Sequence, residues 1–200
     1  MRRRFRKVAP FGAAVAMMVS LLAVIAPTPA YAADTLRQEI INVGGGGLAD
    51  VMWASQDPFA GVFLWGNNSS ASQEFDLLDS GGGFFRIRAR HSGQCLMLDW
   101  RSGYQANGTA IIQYPHCDPG YAPAEWSIGW VLKPADGIWA AEWHKILKNR
   151  HSGRCLDAAA PNGQPVLQAR LQQWDCITAG NQWNSRNQMW FVQGASSPPR

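Results

Sequence analysis

The chain has 200 residues, 46% of them hydrophobic and 16% charged, with 20 glycines and 10 tryptophans. Its formal charge of +4 comes from its start, where Arg2, Arg3, Arg4, Arg6 and Lys7 stand without an acidic residue. Setting aside Met1 to Ala32 leaves 13 basic and 14 acidic residues, a net charge of −1, which argues against nucleic acid or an anionic membrane as a partner held by bulk charge.

The basic head leads into an apolar run from Val8 to Ile25 and then Ala30-Tyr31-Ala32, with small residues at both outer positions. This is the layout of a secretory signal peptide over residues 1–32, cleaved after Ala32. Pro10 and Gly12 interrupt the run and no basic stop-transfer segment follows, which disfavours a membrane anchor. RRRFRK also resembles a twin-arginine signal, with Arg6 where that pattern prefers an apolar residue. Export by the Sec or the twin-arginine route is therefore expected, and a secreted protein. The remaining length suits one domain.

After the signal, residues 33–40 form an N-terminal segment, and Thr35 to Ile41 suggests a short turn. Gly44 to Gly47 is a flexible run, and Asp79 to Gly83 a turn. In FFRIRAR, Phe85, Ile87 and Ala89 alternate with Arg86, Arg88 and Arg90, as in a half-buried strand. Lys133 to Gly137 is a second connection, and Ile138 to Glu142 a small insertion with Trp139 and Trp143 about it. The tail 194–200, GASSPPR, is expected to be disordered. Short apolar runs between Gly, Pro, Asn and Asp clusters point to an all-β barrel or sandwich.

Internal repetition decides between them. His91 to Ile128 and His151 to Val192 both open with HSG-x-CL, both place a second cysteine just after an aromatic residue, and both close with a tryptophan, Trp126 or Trp190. A fainter copy begins at Leu48. There Asp50 stands where Asp157 stands, Trp65 where Trp174 stands, Gln73 where Gln188 stands, and Phe75 at the closing aromatic. One such copy leaves an open edge and half a core, whereas three can close a barrel. A C-L-D element, a Q-x-W-type element and a closing aromatic, three times over, resemble the ricin B-type lectin family. That resemblance implies a β-trefoil over residues 41–193, with repeats at about 41–79, 84–130 and 144–192.

Four cysteines allow three pairings. In an exported trefoil, equivalence of the repeats selects Cys95–Cys117 and Cys155–Cys176, each within one repeat. The cysteines lack the C-x2-C spacing of a zinc site, so no metal and no cofactor is expected. His91 and His151 are equivalent and precede Ser-Gly turns, which suggests a structural role; His116 and His144 are isolated. Neither a nucleophile–base–acid set nor G-x-S-x-G occurs. Asp50 and Asp157, at equivalent positions, suit repeated binding sites better than one catalytic pair. A non-enzymatic, monomeric module is expected.

A sugar offers fixed hydroxyls and a face of C–H groups, so a shallow site needs a carboxylate, amides and a flat aromatic. The resemblance assigns Asp157 as hydroxyl acceptor, Trp174 as platform, Asn187 as amide partner, Gln188 as the group that orients Asp157, and Gln172 as rim. The first repeat keeps a weaker set: Asp50, Trp65 and Gln73, with Ser72 at the Asn place and Phe63 at the rim. The second has Met97 for the acceptor and Ala124-Glu125 for Asn-Gln, with Tyr114 as platform, and is expected to be structural; Asp99 is not expected to stand in. Asn67, Asn68 and Asn107 head N-x-S/T sequons. Carbohydrate, of galactose type by the habit of the family, is the expected partner. The competing reading is a protein-binding or hydrolase-inhibitor trefoil with vestigial sugar sites.

Overall fold

In the computed structural model, residues 34–135, 140–160, 164–178 and 186–192 are described. The expected signal segment, the tail and the first two residues of the expected insertion, Ile138 and Trp139, lie outside them. Among the described residues thirteen strands follow one another: β1 Thr35–Gln38, β2 Ile40–Asn42, β3 Leu48–Val51, β4 Val62–Trp65, β5 Phe75–Gly81, β6 Phe84–Ala89, β7 Cys95–Leu98, β8 Ile111–Tyr114, β9 Glu125–Lys133, β10 Glu142–Asn149, β11 Cys155–Ala158, β12 Leu171–Trp174 and β13 Trp190–Val192.

The alternation read in FFRIRAR holds: Phe85, Ile87 and Ala89 are buried while Arg86 and Arg88 are not. With one face apolar, the register of β6 is fixed, because a slip of one residue would turn its arginines into the core. β6 pairs with β5 on one side and β9 on the other. The ladder continues through β10 and β13 to β2, and β1 returns to β5. Only Glu39 separates β1 from β2, so the two act as one strand and the ring closes into a barrel with no free edge. The hairpins β3–β4, β7–β8 and β11–β12 cover one end. Bridges Gly61↔Ile112, Ala110↔Gln172 and Arg170↔Phe63 link each hairpin to the next around the axis. This is a β-trefoil, with both disulfides paired within repeats, Cys95–Cys117 and Cys155–Cys176.

Two readings of the ends of strands are corrected. Thr35 to Ile41 is strand instead of turn: Thr35 pairs with Leu77 and Gln38 with Phe75. A bulge at Arg37, whose φ is 56°, is fixed where its backbone N–H donates to Asp76 Oδ1 at 3.0 Å. The stretch satisfies the edge of β5, a long-range demand that its own residues do not announce. Glu142, placed in the insertion, is instead the first residue of β10, paired with Lys133.

Phe75, Trp126 and Trp190 fill the core from equivalent places, each almost wholly buried. The indoles of Trp126 and Trp190 also donate to the carbonyls of Leu96 and Leu156, at 3.2 and 3.1 Å. A buried indole needs such a partner, and Phe75 does not. Two more buried side chains tie the repeats together. Gln113 donates to the carbonyls of Ser55 and Asp57, each at 2.8 Å, holding the loop of the first repeat. Gln173 does the same for the second repeat through Tyr104 and Ala106, at 2.6 and 2.8 Å. Leu64 occupies the equivalent position facing the loop of the third repeat, and it has no side-chain donor. There the backbone alone bonds, Gln168 N–H to Leu64 O at 2.6 Å and Leu64 N–H to Ala169 O at 2.8 Å.

Candidate functional site

The site begins with the period of two along a strand. In the first hairpin Asp50 lies opposite Phe63 and Leu48 opposite Trp65, so Asp50, Phe63 and Trp65 share one face. The third hairpin matches it, with Asp157 opposite Gln172 and Cys155 opposite Trp174. In the second, Met97 lies opposite Ile112 and Cys95 opposite Tyr114. A single 3-10 turn before each closing aromatic brings up the last member: Ala71–Gln73, Ala122–Ala124 and Arg186–Gln188.

In the first and third repeats that turn builds the same clamp. Gln73 Nε2 donates to Asp50 Oδ2 and to the Gly66 carbonyl, both at 2.8 Å, while its Oε1 accepts from Asn68 N–H at 3.1 Å. Gln188 Nε2 donates to Asp157 Oδ2 and to the Asp175 carbonyl, both at 3.0 Å, while its Oε1 accepts from Ile177 N–H at 2.9 Å. Each amide thus holds the carboxylate against its own repeat's strand end.

The third repeat gathers all its predicted residues. Gln172 Nε2 donates to Asp157 Oδ1 at 2.9 Å, and Asn187 Nδ2 donates to Oδ2 at 2.6 Å. Trp174 stands open beside them, 45% exposed, while Asp157 is only 2% exposed. Residues 161–163 and 179–185 lie outside the described residues. Burial pushes the Asp157 carboxyl up to about 6, against hydrogen bonds from Gln172 and Gln188 that pull it down. A carboxyl raised in the folded state holds its proton more tightly there than in the unfolded chain. Its contribution to stability is therefore greatest below the ordinary carboxylate pKa and is lost as pH rises through about 6. Asp157→Asn removes that loss. Between pH 3.5 and 7.5 its urea-unfolding free energy should gain on the wild type by on the order of 2–3 kcal/mol. Parallel profiles for the two proteins would contradict this.

The first repeat differs in being open. A cavity of about 430 Å³ is lined by Asp50, Trp53, Phe63, Trp65, Asn68 and Gln168, among others. Asp50 Oδ2 takes the Gln73 bond, and Oδ1 has no hydrogen-bond partner among the described residues. Two tryptophans wall the cavity, Trp65 at 40% and Trp53 at 81% exposure. Trp53, Asn68 and Gln168 were not foreseen. Trp53 reaches the cavity through a left-handed φ of 61°, a turn geometry rare for tryptophan. Gln168 comes from the third repeat.

The second repeat is closed. Met97 is fully buried in a cluster with Cys95, Ile112 and Ala124. Phe59, Trp100 and Tyr114 pack over it with ring centroids 4.7–5.1 Å apart. The sequence alignment is one residue out here: Pro123-Ala124, not Ala124-Glu125, occupies the Asn-Gln place, since the turn Ala122–Ala124 matches Arg186–Gln188. Glu125 is instead fully buried, accepting from Gly120 N–H at 2.7 Å and from Arg150 at 2.6 Å. Asp99 caps the turn Trp100–Ser102 and pairs with Arg101 at 2.8 Å, so it does not stand in for the missing acceptor.

Residues 33–114 match the family model of ricin-type beta-trefoil lectin domain-like sequences. No curated protein matches significantly. Among solved structures the chain is similar to the designed threefold-symmetric protein ThreeFoil, at 26% identity and a TM-score of 0.61, covering 78% of this chain and 96% of that one. It is also similar to an exo-β-1,3-galactanase from Clostridium thermocellum, at 27% identity and a TM-score of 0.59, covering 79% of this chain but only 30% of the galactanase. The fold is shared with the Macrolepiota procera ricin B-like lectin in complex with lactose, at 19% identity, a TM-score of 0.56 and coverage of 78% and 93%. With three repeats on one barrel, two of them clamping a carboxylate with a glutamine, the chain has the β-trefoil fold of these structures, and its residues 33–114 resemble the ricin-type β-trefoil lectin-like family.

Proposed function

We propose that this is an exported, non-enzymatic carbohydrate-binding module with sugar sites on its first and third repeats. The observation that carries the reading is the first-repeat cavity. There Asp50, with one oxygen fixed by Gln73 and the other open, faces exposed Trp65 and Trp53. Such a carboxylate accepts from two vicinal hydroxyls while an indole covers the apolar face of the ring. The third repeat offers the same pair in Asp157 and Trp174, with Asn187 beside the carboxylate.

Galactose-type sugars are the ligand class we favour. A structural neighbour is bound to lactose, another to GalNAc, and a third is a galactanase, which supports the choice. The protein lacking residues 1–32 should be retained on a lactosyl resin and released by free lactose. Absence of retention on lactose, arabinose, xylose and mannose supports alike would sink the proposal. One observation favours the alternative of a protein-binding or inhibitor trefoil: the second repeat has an aromatic plug in place of a site. Tight binding to a hydrolase by a chain that no sugar retains would establish it. Residues 1–32 fit export to the outside of the cell, which N-terminal sequencing of the secreted protein would test.

A further inference from the structure

In the loop that precedes the second strand of each hairpin, a residue in the left-handed region stands three positions before the strand in all three repeats. These are Phe59 with φ 70°, Gly108 with φ 84° and Gln168 with φ 72°. The backbone N–H of each donates across to the next repeat's hairpin: Phe59 to Gln113 O at 2.9 Å, Gly108 to Gln173 O at 2.9 Å and Gln168 to Leu64 O at 2.6 Å. The acceptor is in every case the residue just before the platform aromatic, or one equivalent to it. The crest of one repeat is thereby fixed over the platform of another.

What stands on the crest differs, and so does the platform beneath. Phe59 packs on Tyr114 with centroids 5.0 Å apart, and Tyr114 is half-buried. Gly108 has no side chain; a Cβ there would lie 3.9 Å from the Trp174 ring and 3.8 Å from Gln172 Oε1, and Trp174 is open. Gln168 lines the first-repeat cavity together with Trp65 and leaves it accessible. An aromatic crest plugs its site, a bare crest opens it, and an amide crest adds a polar group to its wall.

We propose that the crest residue of one repeat governs access to the platform of the next, and that Gln168 is the specificity-determining residue of the first-repeat site. An amide in the cavity wall can both donate to and accept from a sugar hydroxyl, selecting ligands that carry a hydroxyl within its reach. The second half rests on the sugar-binding reading; the first does not.

The test uses the full chain without its first 32 residues. Hydroxyl-radical footprinting reads oxidation at Trp65, Trp174 and Tyr114, and lactose titration in an Asp157→Ala background reads the first repeat alone. Gln168→Phe should lower Trp65 oxidation several-fold, leave Trp174 unchanged and abolish lactose binding at the first repeat. Gln168→Gly, which suits the left-handed backbone, should keep Trp65 open but change the ranking of lactose against xylose and mannose. Should Gln168→Phe not fold, Phe59→Gly decides access: Tyr114 oxidation should rise several-fold. Unchanged Trp65 oxidation in folded Gln168→Phe, or unchanged Tyr114 oxidation in Phe59→Gly, overturns the proposal. So does wild-type lactose affinity and sugar ranking in Gln168→Gly. If Asp157→Ala alone binds no sugar, the sugar-binding reading of the first repeat fails, while footprinting still decides whether the crest governs access.

Discussion

Asp50→Ala combined with Asp157→Ala is expected to abolish retention on an immobilised galactoside. Each carboxylate accepts charge-assisted hydrogen bonds worth about 1.5–3 kcal/mol apiece. A shallow site binding a monosaccharide near millimolar has only about −4 kcal/mol in total, so loss of the acceptor removes most of it. Either single variant should keep one site and lose the advantage of holding a surface at two points, with retention falling far more than free-sugar affinity. Asp50→Ala leaves Gln73 its bond to the Gly66 carbonyl, so the strand end should stay in place and circular dichroism should be unchanged. Met97→Ala is the control. It opens a buried cluster, at a stability cost of about 2–5 kcal/mol, without touching either carboxylate. A folded double variant retained like wild type would refute the assignment of both sites.

Trp126→Ala should be among the most destabilising single changes, with Trp190→Ala beside it. Truncating a buried tryptophan costs about 3–5 kcal/mol in core packing. Here it also strands the Leu96 carbonyl that the indole N–H now satisfies. Against a domain stability of about 5–15 kcal/mol the loss is large, and at 2–4 °C per kcal/mol the melting temperature should fall by roughly 10 °C or more. Phe75→Ala should cost less, since no donor is lost with the ring. Equal shifts for the two variants in thermal unfolding would show that the indole hydrogen bond adds nothing.

Comparing repeats with one another made much of this legible before any coordinates. Phe85, Ile87 and Ala89 announce their strand through alternation, and Asp157, Trp174 and Gln188 stand at matching places in a second copy, Asp50, Trp65 and Gln73. Single-copy comparison failed wherever a residue acts across a repeat boundary. Gln168 belongs to the third repeat yet lines the cavity of the first, and no spacing within either repeat places it there. Trp53 depends on a backbone turn with φ of 61°, which its neighbours do not signal. Thr35 to Gln38 becomes strand only because β5 needs a partner. At Ala124-Glu125 neither Asn nor Gln marks the register; the backbone sets it by distance from the closing aromatic, with Pro123-Ala124 as far before Trp126 as Asn187-Gln188 is before Trp190.

Gln113 and Gln173 pin two of the three loops from within, and Leu64 leaves the third to its backbone bonds. The bare seam is the one that carries Gln168 toward Trp65. A ligand spanning that cavity would therefore do for the third seam what the buried glutamines do for the others. On the proposed sugar-binding reading, occupancy of the cavity and cohesion of the ring become linked: a bound sugar acts as an added, removable fastener across a seam that its backbone bonds already close, and resistance to unfolding rises as the cavity fills.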